Sequence, residues 1–205
     1  MRKPEDNSPK IDPPSVEGGN VAPDRRRLLR TGLGAVPVAM TLVSRPVLGT
    51  SPQCLAPSGF VSGNASVPAA ATCAGVTPGY WKQSQHFSSW PSGYYPVAVT
   101  GHAATTFCSA FACTAGTYPS TTTLLDVLST AGGPPDDVGR HVVAALLNTL
   151  TGLVPTSVLS VSAIQNIWLQ YLNTGSGTVG YYVPYGSVKW YHTDIVNYLL
   201  TTMPA

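Results

Sequence analysis

Four stretches of the chain repeat apolar residues at helical spacing. In "TTTLLDVLSTAGGPP", Leu124, Leu125, Val127 and Leu128 predict a short helix stopped by Gly132, Gly133 and Pro134. Asp136 can then cap a helix running to about Thr151, with Val138, Val142, Ala145, Leu146 and Thr149 on one face and Gly152 as terminator. Ser162 and Gln165 form a capping-box pattern ahead of Ile164, Ile167, Trp168, Tyr171 and Leu172, with a stop at Gly175. A last helix starts near Thr193 or Asp194, buries Ile195, Val196, Leu199 and Leu200, and runs out before Pro204. Between these two, "GTVGYYVPYGSVKW" can form a hairpin that Pro184 confines to an edge. Residues 50–72 are Ser-, Pro-, Ala- and Gly-rich without a period, which predicts an irregular arm tied down through Cys54. The expected fold is mainly α: a single compact, disulfide-braced helical domain with long loops and room for one short β-hairpin.

A different apolar pattern lies near the amino end. "DRRRLLR", Asp24 to Arg30, is followed by "TGLGAVPVAMTLVS", an apolar run diluted by Gly32, Gly34 and Pro37. This resembles a twin-arginine export signal, with Arg25 and Arg26 as the paired arginines, Arg27 at the free position, Leu28 and Leu29 as the apolar pair and Arg30 as the following basic residue. The run falls short of the roughly 20 residues that span a bilayer and is broken by Arg45, so no stable membrane span is expected. Small or aliphatic Val47 and Gly49 in "PVLGTS" place cleavage after Gly49, and "SPQC" before Cys54 lacks the residues of a lipid-attachment box. Residues 1–24 are polar and Pro-rich, a composition that buries too little apolar surface to order itself. The expected organisation is a disordered leader over 1–24, a cleaved twin-arginine signal over 25–49, the irregular arm over 50–72 and a helical domain over 73–205. The basic run could instead be a nucleic-acid or membrane patch, but the apolar run directly after it favours export. The expected partner on the way out is the twin-arginine translocase, and the destination is the periplasm or the cell exterior.

Charge separates the two regions. The whole chain carries +2, yet eight of its eleven Lys and Arg lie at or before Arg45. Downstream remain Lys82, Arg140 and Lys189 against Asp126, Asp136, Asp137 and Asp194, giving 3 − 4 = −1. That excludes a basic surface for nucleic acid, whose affinity rests on several phosphate contacts. The exported part has no glutamate and holds every tryptophan and tyrosine. Aromatic rings on a neutral polar surface suit envelope glycan or another protein copy as partner, and rings are equally at home in a core.

About 155 residues suffice to bury roughly two-thirds of the unfolded surface, so folding requires neither metal nor disulfide. Cys54, Cys73, Cys108 and Cys113 all fall in the exported part. An even number in an oxidising compartment reads as two disulfides, with three pairings open. The rival is a four-thiolate zinc site, since Cys108 and Cys113 have a spacing seen at such sites. Twin-arginine export carries folded proteins and the cytoplasm keeps thiols reduced, so the bridges would close around a domain already folded.

Catalytic signatures are missing: there is no GxSxG elbow, P-loop, HExxH or CxxC. "GSGTVG", with Gly175, Gly177 and Gly180, matches a dinucleotide fingerprint formally but follows a helix rather than a strand. Asp136, Asp137 and Asp194 sit at predicted helix starts, where they favour the dipole, and Asp126 faces solvent within the short helix. His86, His102, His141 and His192 are scattered. Asp137 and His141 alone have i, i+4 spacing, which fits a metal, a catalytic dyad or a structural ion pair. No catalytic residue, metal or cofactor is assigned. The candidate ligand-binding residues are Trp81, Lys82, His86, Trp90, Arg140 and His141. The alternative is a metal-binding protein or enzyme with a site near His86, Asp137, Arg140 and His141. A hydrolase with a Ser or Thr nucleophile has no motif behind it.

The order of motifs resembles a family of exported bacterial proteins of uncharacterised function marked by a Gly-Tyr-Trp-Lys signature. The matching residues are "CAGVTPGYWK" (Cys73 to Lys82) with Trp90 and Pro91, "LLDVLSTAGG" (Leu124 to Gly133), "GRHVVAALLN" (Gly139 to Asn148), "VKW" (Val188 to Trp190) and "IVNYLLTTMP" (Ile195 to Pro204). The likeness covers almost the whole exported domain and implies no particular activity or ligand. Where that family has Lys-Asn-His or Lys-Thr-His after the tryptophan, this chain places Gln83, Ser84 and Gln85 between Lys82 and His86. Within "TPGYWKQSQHFSSWP" (Thr77 to Pro91), the turn at Thr77, Pro78 and Gly79 sets up Tyr80 and Trp81 as a clamp packed on the helix from Asp137 to Thr151, with Lys82 and His86 at its rim.

Overall fold

At Gly139 a β-carbon would overlap the Tyr118 side chain, so this glycine lets Tyr118 lie directly against one helix. In the computed structural model, which describes residues 53–62, 71–111, 113, 118–133, 135–174 and 180–204, that helix is the centre of the fold. The expected leader, the expected export signal with Arg25, Arg26, Leu28 and Leu29, and the predicted stop residues Pro134 and Gly175 lie outside the described residues. The described residues all belong to one compact unit, Gly49–Ala205.

The elements in chain order are β1 (Gln53–Cys54), α1 (Pro57–Ser62), β2 (Ala71–Thr72), α2 (Pro78–Trp81), a 3-10 helix (Ser84–Ser89), α3 (Phe107–Ala110), α4 (Leu124–Ser129), α5 (Asp136–Leu150), α6 (Val161–Thr174) and α7 (His192–Thr201). The fold is mainly α, as expected. Its one sheet among the described residues pairs β1 with β2 antiparallel, Gln53 opposite Thr72 and Cys54 opposite Ala71.

From Val138 to Thr149 every residue of α5 except Arg140 is buried. The sequence predicts one buried face; the structure buries all of them, because α2, α4, α6 and α7 pack around this helix. A helix apolar all round belongs inside. Gly152 ends the segment in the left-handed region, φ +77°, as the terminator the pattern predicts.

Capping differs from expectation in three places. Asp136 does not cap α5: Pro135 holds the cap position with no side-chain bond, and Asp136 sits in the first turn, where Oδ1 accepts from the Tyr118 hydroxyl (3.1 Å). Asp126 does not simply face solvent: its carboxylate accepts from the Thr123 amide (2.8 Å), while Thr123 Oγ1 accepts from the Asp126 amide (3.0 Å), a capping box for α4. For α6 the cap is Ser160, whose Oγ accepts from the Ala163 amide (3.2 Å). Gln165 instead sends its side-chain amide across to the Ala110 carbonyl (2.8 Å), because that oxygen closes α3 and needs a donor. At α7 the carboxylate of Asp194 accepts from the Tyr191 amide (3.0 Å).

The four cysteines form Cys54–Cys73 and Cys108–Cys113, which removes the thiolate zinc alternative. The first bridge, with the β1–β2 pair beside it, holds the arm. That arm is less irregular than its composition suggests: Pro57 opens a short helix, where its missing N–H costs nothing. Phe60 then packs edge-on against Trp190 (5.6 Å) and Tyr198 (5.5 Å), and the Tyr198 hydroxyl donates to the Leu55 carbonyl (3.1 Å). Among the described residues the predicted hairpin is one bridge between Tyr182 and Trp190, with amide-to-carbonyl bonds of 2.8 Å both ways. No helix among the described residues is long and apolar enough to cross a membrane.

Candidate functional site

Asn148 is a fully buried amide near the carboxyl end of an otherwise apolar helix. Its Oδ1 accepts from the Val76 amide (3.0 Å) and from the Trp81 indole N–H (3.1 Å), and its Nδ2 donates to the Val76 carbonyl (2.9 Å). The side chain thus pairs with the Val76 backbone as a strand neighbour would. Gly75 is required beside it, since a β-carbon there would overlap the Thr202 carbonyl. The Trp81 carbonyl in turn accepts from the Trp90 indole N–H (3.2 Å), and the two rings meet edge to face at 6.5 Å. Tyr80 packs edge-on to Trp81 (5.4 Å) and carries the His86 imidazole stacked on it at 3.7 Å.

The Gly-Tyr-Trp-Lys segment is therefore a clamp onto α5. Pro78 opens α2 after an extended Thr77, which aims Trp81 inward. Trp81 is 1% exposed and its N–H is satisfied internally, so it has little surface to offer a ligand. Lys82 is exposed and His86 half-buried at the rim.

Arg140 and His141 lie elsewhere, in the first turns of α5 and about 11 Å along its axis from Asn148. They converge on Asp137. Arg140 Nε donates to Asp137 Oδ1 (2.8 Å), and His192 Nε2 lies 3.1 Å from Oδ2. His141 Nδ1 lies 2.6 Å from the Asp137 backbone carbonyl and 3.3 Å from Oδ1. Burial by itself raises the Asp137 carboxyl, but hydrogen bonds from Arg140 and His192 and the nearby charges outweigh it and hold it below the usual carboxylate range. Burial pushes His141 below the usual imidazole range, against the opposing pull of Asp137. Among the described residues no hydrogen bond or ion pair joins His86 to Asp137, Arg140 or His141. The sequence pairs Asp137 with His141 through helical spacing; it carries no comparable sign of His192, 55 residues away.

Chemically this cluster is a carboxylate saturated with donors. Both imidazole nitrogens aim at oxygens of Asp137 rather than at a common point, and no group able to hold a metal occurs among the described residues. Thr193 Oγ1 lies 3.5 Å from His192 Nδ1, the outer limit of a hydrogen bond. A nucleophile and base in working geometry would sit closer.

A third feature was not read from the sequence. The segment after the clamp folds back to form an open cleft of about 320 Å³, lined by Phe87, Trp90, Tyr94, Tyr95, Val97, Val99, two prolines, Ser92 and Gly93. Of the candidate ligand residues only Trp90 lines it. Its sequence signal is the density of rings, prolines and glycine in "WPSGYYPVAV" (Trp90 to Val99). No family model matches the chain, and no curated protein or solved structure matches it either.

Proposed function

We propose that the chain is an exported, non-catalytic domain of the periplasm or cell exterior that acts by binding or assembly, within the group of exported proteins that share the Gly-Tyr-Trp-Lys signature. The observation that carries this reading is the cleft beside the clamp: it is concave, lined by aromatic rings and prolines, and has no charged side chain in its lining. Concave, largely apolar sites with a few polar groups are the usual form of a ligand site. Export is supported by the Arg25–Arg30 pattern with its apolar run and by two disulfides, a feature of oxidising compartments.

The reading is tested by expressing the chain in a twin-arginine-competent host. Arg25→Lys with Arg26→Lys should hold the precursor in the cytoplasm, while the unaltered chain is recovered outside it with both bridges formed. The recovered protein should cosediment with envelope material or self-associate on sedimentation; doing neither would defeat the binding reading. A metal-binding or enzymatic role keeps Asp137, Arg140 and His141 and acquires His192. Native mass spectrometry of the exported protein separates the two, since retained extra mass favours this alternative.

A further inference from the structure

We propose that the cleft between Phe87 and Val99 binds a neutral saccharide, a ligand class that rests on the binding reading above. The walls are fixed before any ligand arrives. The Trp90 indole is tied to the Trp81 carbonyl (3.2 Å), and a turn from Pro91 to Tyr94 is closed by a 3.0 Å backbone bond. Tyr95 is pinned twice to Thr105, its amide donating to Oγ1 (2.7 Å) and its carbonyl accepting from the Thr105 amide (2.8 Å). The Tyr95 ring is stacked on His102 at 4.4 Å. Val99 and His102 exchange two backbone bonds of 2.9 Å across a turn whose Gly101 has φ +85°. A site held this way loses little conformational freedom on binding.

Three properties select the ligand. The lining contains no lysine, arginine, histidine or carboxylate, so nothing there would compensate a charged ligand. Phe87, Tyr94 and Tyr95 are half-buried in the lining, and aromatic surface of this kind suits the C–H face of a sugar ring. The polar groups of the lining include the hydroxyls of Ser92, Tyr94 and Tyr95, with no hydrogen-bond partner among the described residues. A hydroxyl both donates and accepts, as the hydroxyls of a sugar do.

Aromatic and proline grooves also receive proline-rich peptides. A proline-rich backbone presents acceptors alone; the indole N–H of Trp90 is already given to Trp81, and the remaining hydroxyls, which both donate and accept, are matched more fully by the hydroxyls of a sugar. The volume, about 320 Å³, stands at the low end of the roughly 300–1,000 Å³ of small-ligand sites and fits a short saccharide. Val97 and Val99, exposed at 43% and 49%, extend the apolar surface at the rim.

The test is calorimetric and fluorescence titration of the exported, oxidised protein with cellohexaose, chitohexaose and mannohexaose, and separately with decaproline. At least one saccharide should saturate the signal. Tyr95→Ala and Val97→Arg should each weaken that binding about tenfold or more, while Tyr185→Ala, at a ring 65% exposed outside the cleft lining, should leave it unchanged. Val97 is at the rim, so that variant keeps the test valid even where loss of the Tyr95 ring disturbs folding, which far-UV circular dichroism checks. No saturation by any saccharide up to about 10 mM, or saturation indifferent to both cleft substitutions, overturns the proposal. Binding of decaproline alone assigns the cleft to extended peptides and overturns it likewise. Silence toward every probe from a protein that still cosediments with envelope material removes the saccharide but spares the broader binding reading; silence in both removes both.

Discussion

At Asn148 an amide occupies a position that the surrounding helix would fill with an aliphatic residue, and its three hydrogen bonds fasten the Val76-to-Trp81 segment to α5. Removing it leaves the amide and carbonyl of half-buried Val76 and the buried Trp81 indole N–H without their partners. Asn148→Ala should therefore lower stability by roughly 2–4 kcal/mol, read from the denaturant midpoint. Trp81→Phe keeps a ring and leaves Asn148 bonded to Val76, so its loss should be smaller; the reverse order would contradict the clamp. His141 carries the pH dependence. Its folded pKa lies below the unfolded value, near 6.5, so the unfolded chain binds the proton first. Its contribution to stability is full above that unfolded value and is lost as pH falls through the folded one. Asp137, also held low, contributes fully above the ordinary carboxylate range and loses that only in stronger acid. Urea midpoints measured between about pH 7.5 and pH 5 should fall for the unaltered protein and fall less for His141→Phe; equal slopes would remove His141 as the cause.

Among the elements, α4, α5, α6 and α7 were legible because their apolar spacing agrees with the packing they enter. The short pieces were not. α1, α3 and the 3-10 helix are too brief for a period and exist because rings such as Phe60 and Phe107 have neighbours to pack on. The capping-box pattern at Ser162 and Gln165 fails for α6 because the Gln165 side-chain amide donates to the distant Ala110 carbonyl, leaving Ser160 as the cap. The same distinction governs the site. Asp137 with Arg140 and His141 could be read within one helix, whereas His192, Asn148's partners and the cleft depend on contacts between separate segments. The disulfides are elements too, and their loops differ: 19 residues apart for Cys54–Cys73 and 5 for Cys108–Cys113. Loop-closure entropy gives about 3 kcal/mol for the longer and about 2 kcal/mol for the shorter. Paired Cys→Ser replacements should follow that order in urea unfolding, with the arm pair the more costly.

For the molecule as a whole, the central question is whether the fold precedes its bridges. The buried core surrounds α5 on all sides, and its packing among α4, α5 and α6 crosses neither disulfide. Losing both bridges would remove about 5 kcal/mol by the loop-closure figures, against a net stability of about 5–15 kcal/mol for ordinary domains. A reduced domain that stays folded is also what a translocase for folded cargo requires. The fully reduced chain should accordingly keep its far-UV helical signal and unfold cooperatively, at a lower denaturant midpoint than the oxidised form. Reoxidation should then restore the higher midpoint without a change in helical content. A reduced chain that is unfolded in buffer would mean that the bridges build the domain rather than brace it. Twin-arginine export would then demand oxidation before crossing, in a compartment that opposes it, and the proposed route would give way to one that threads an unfolded chain.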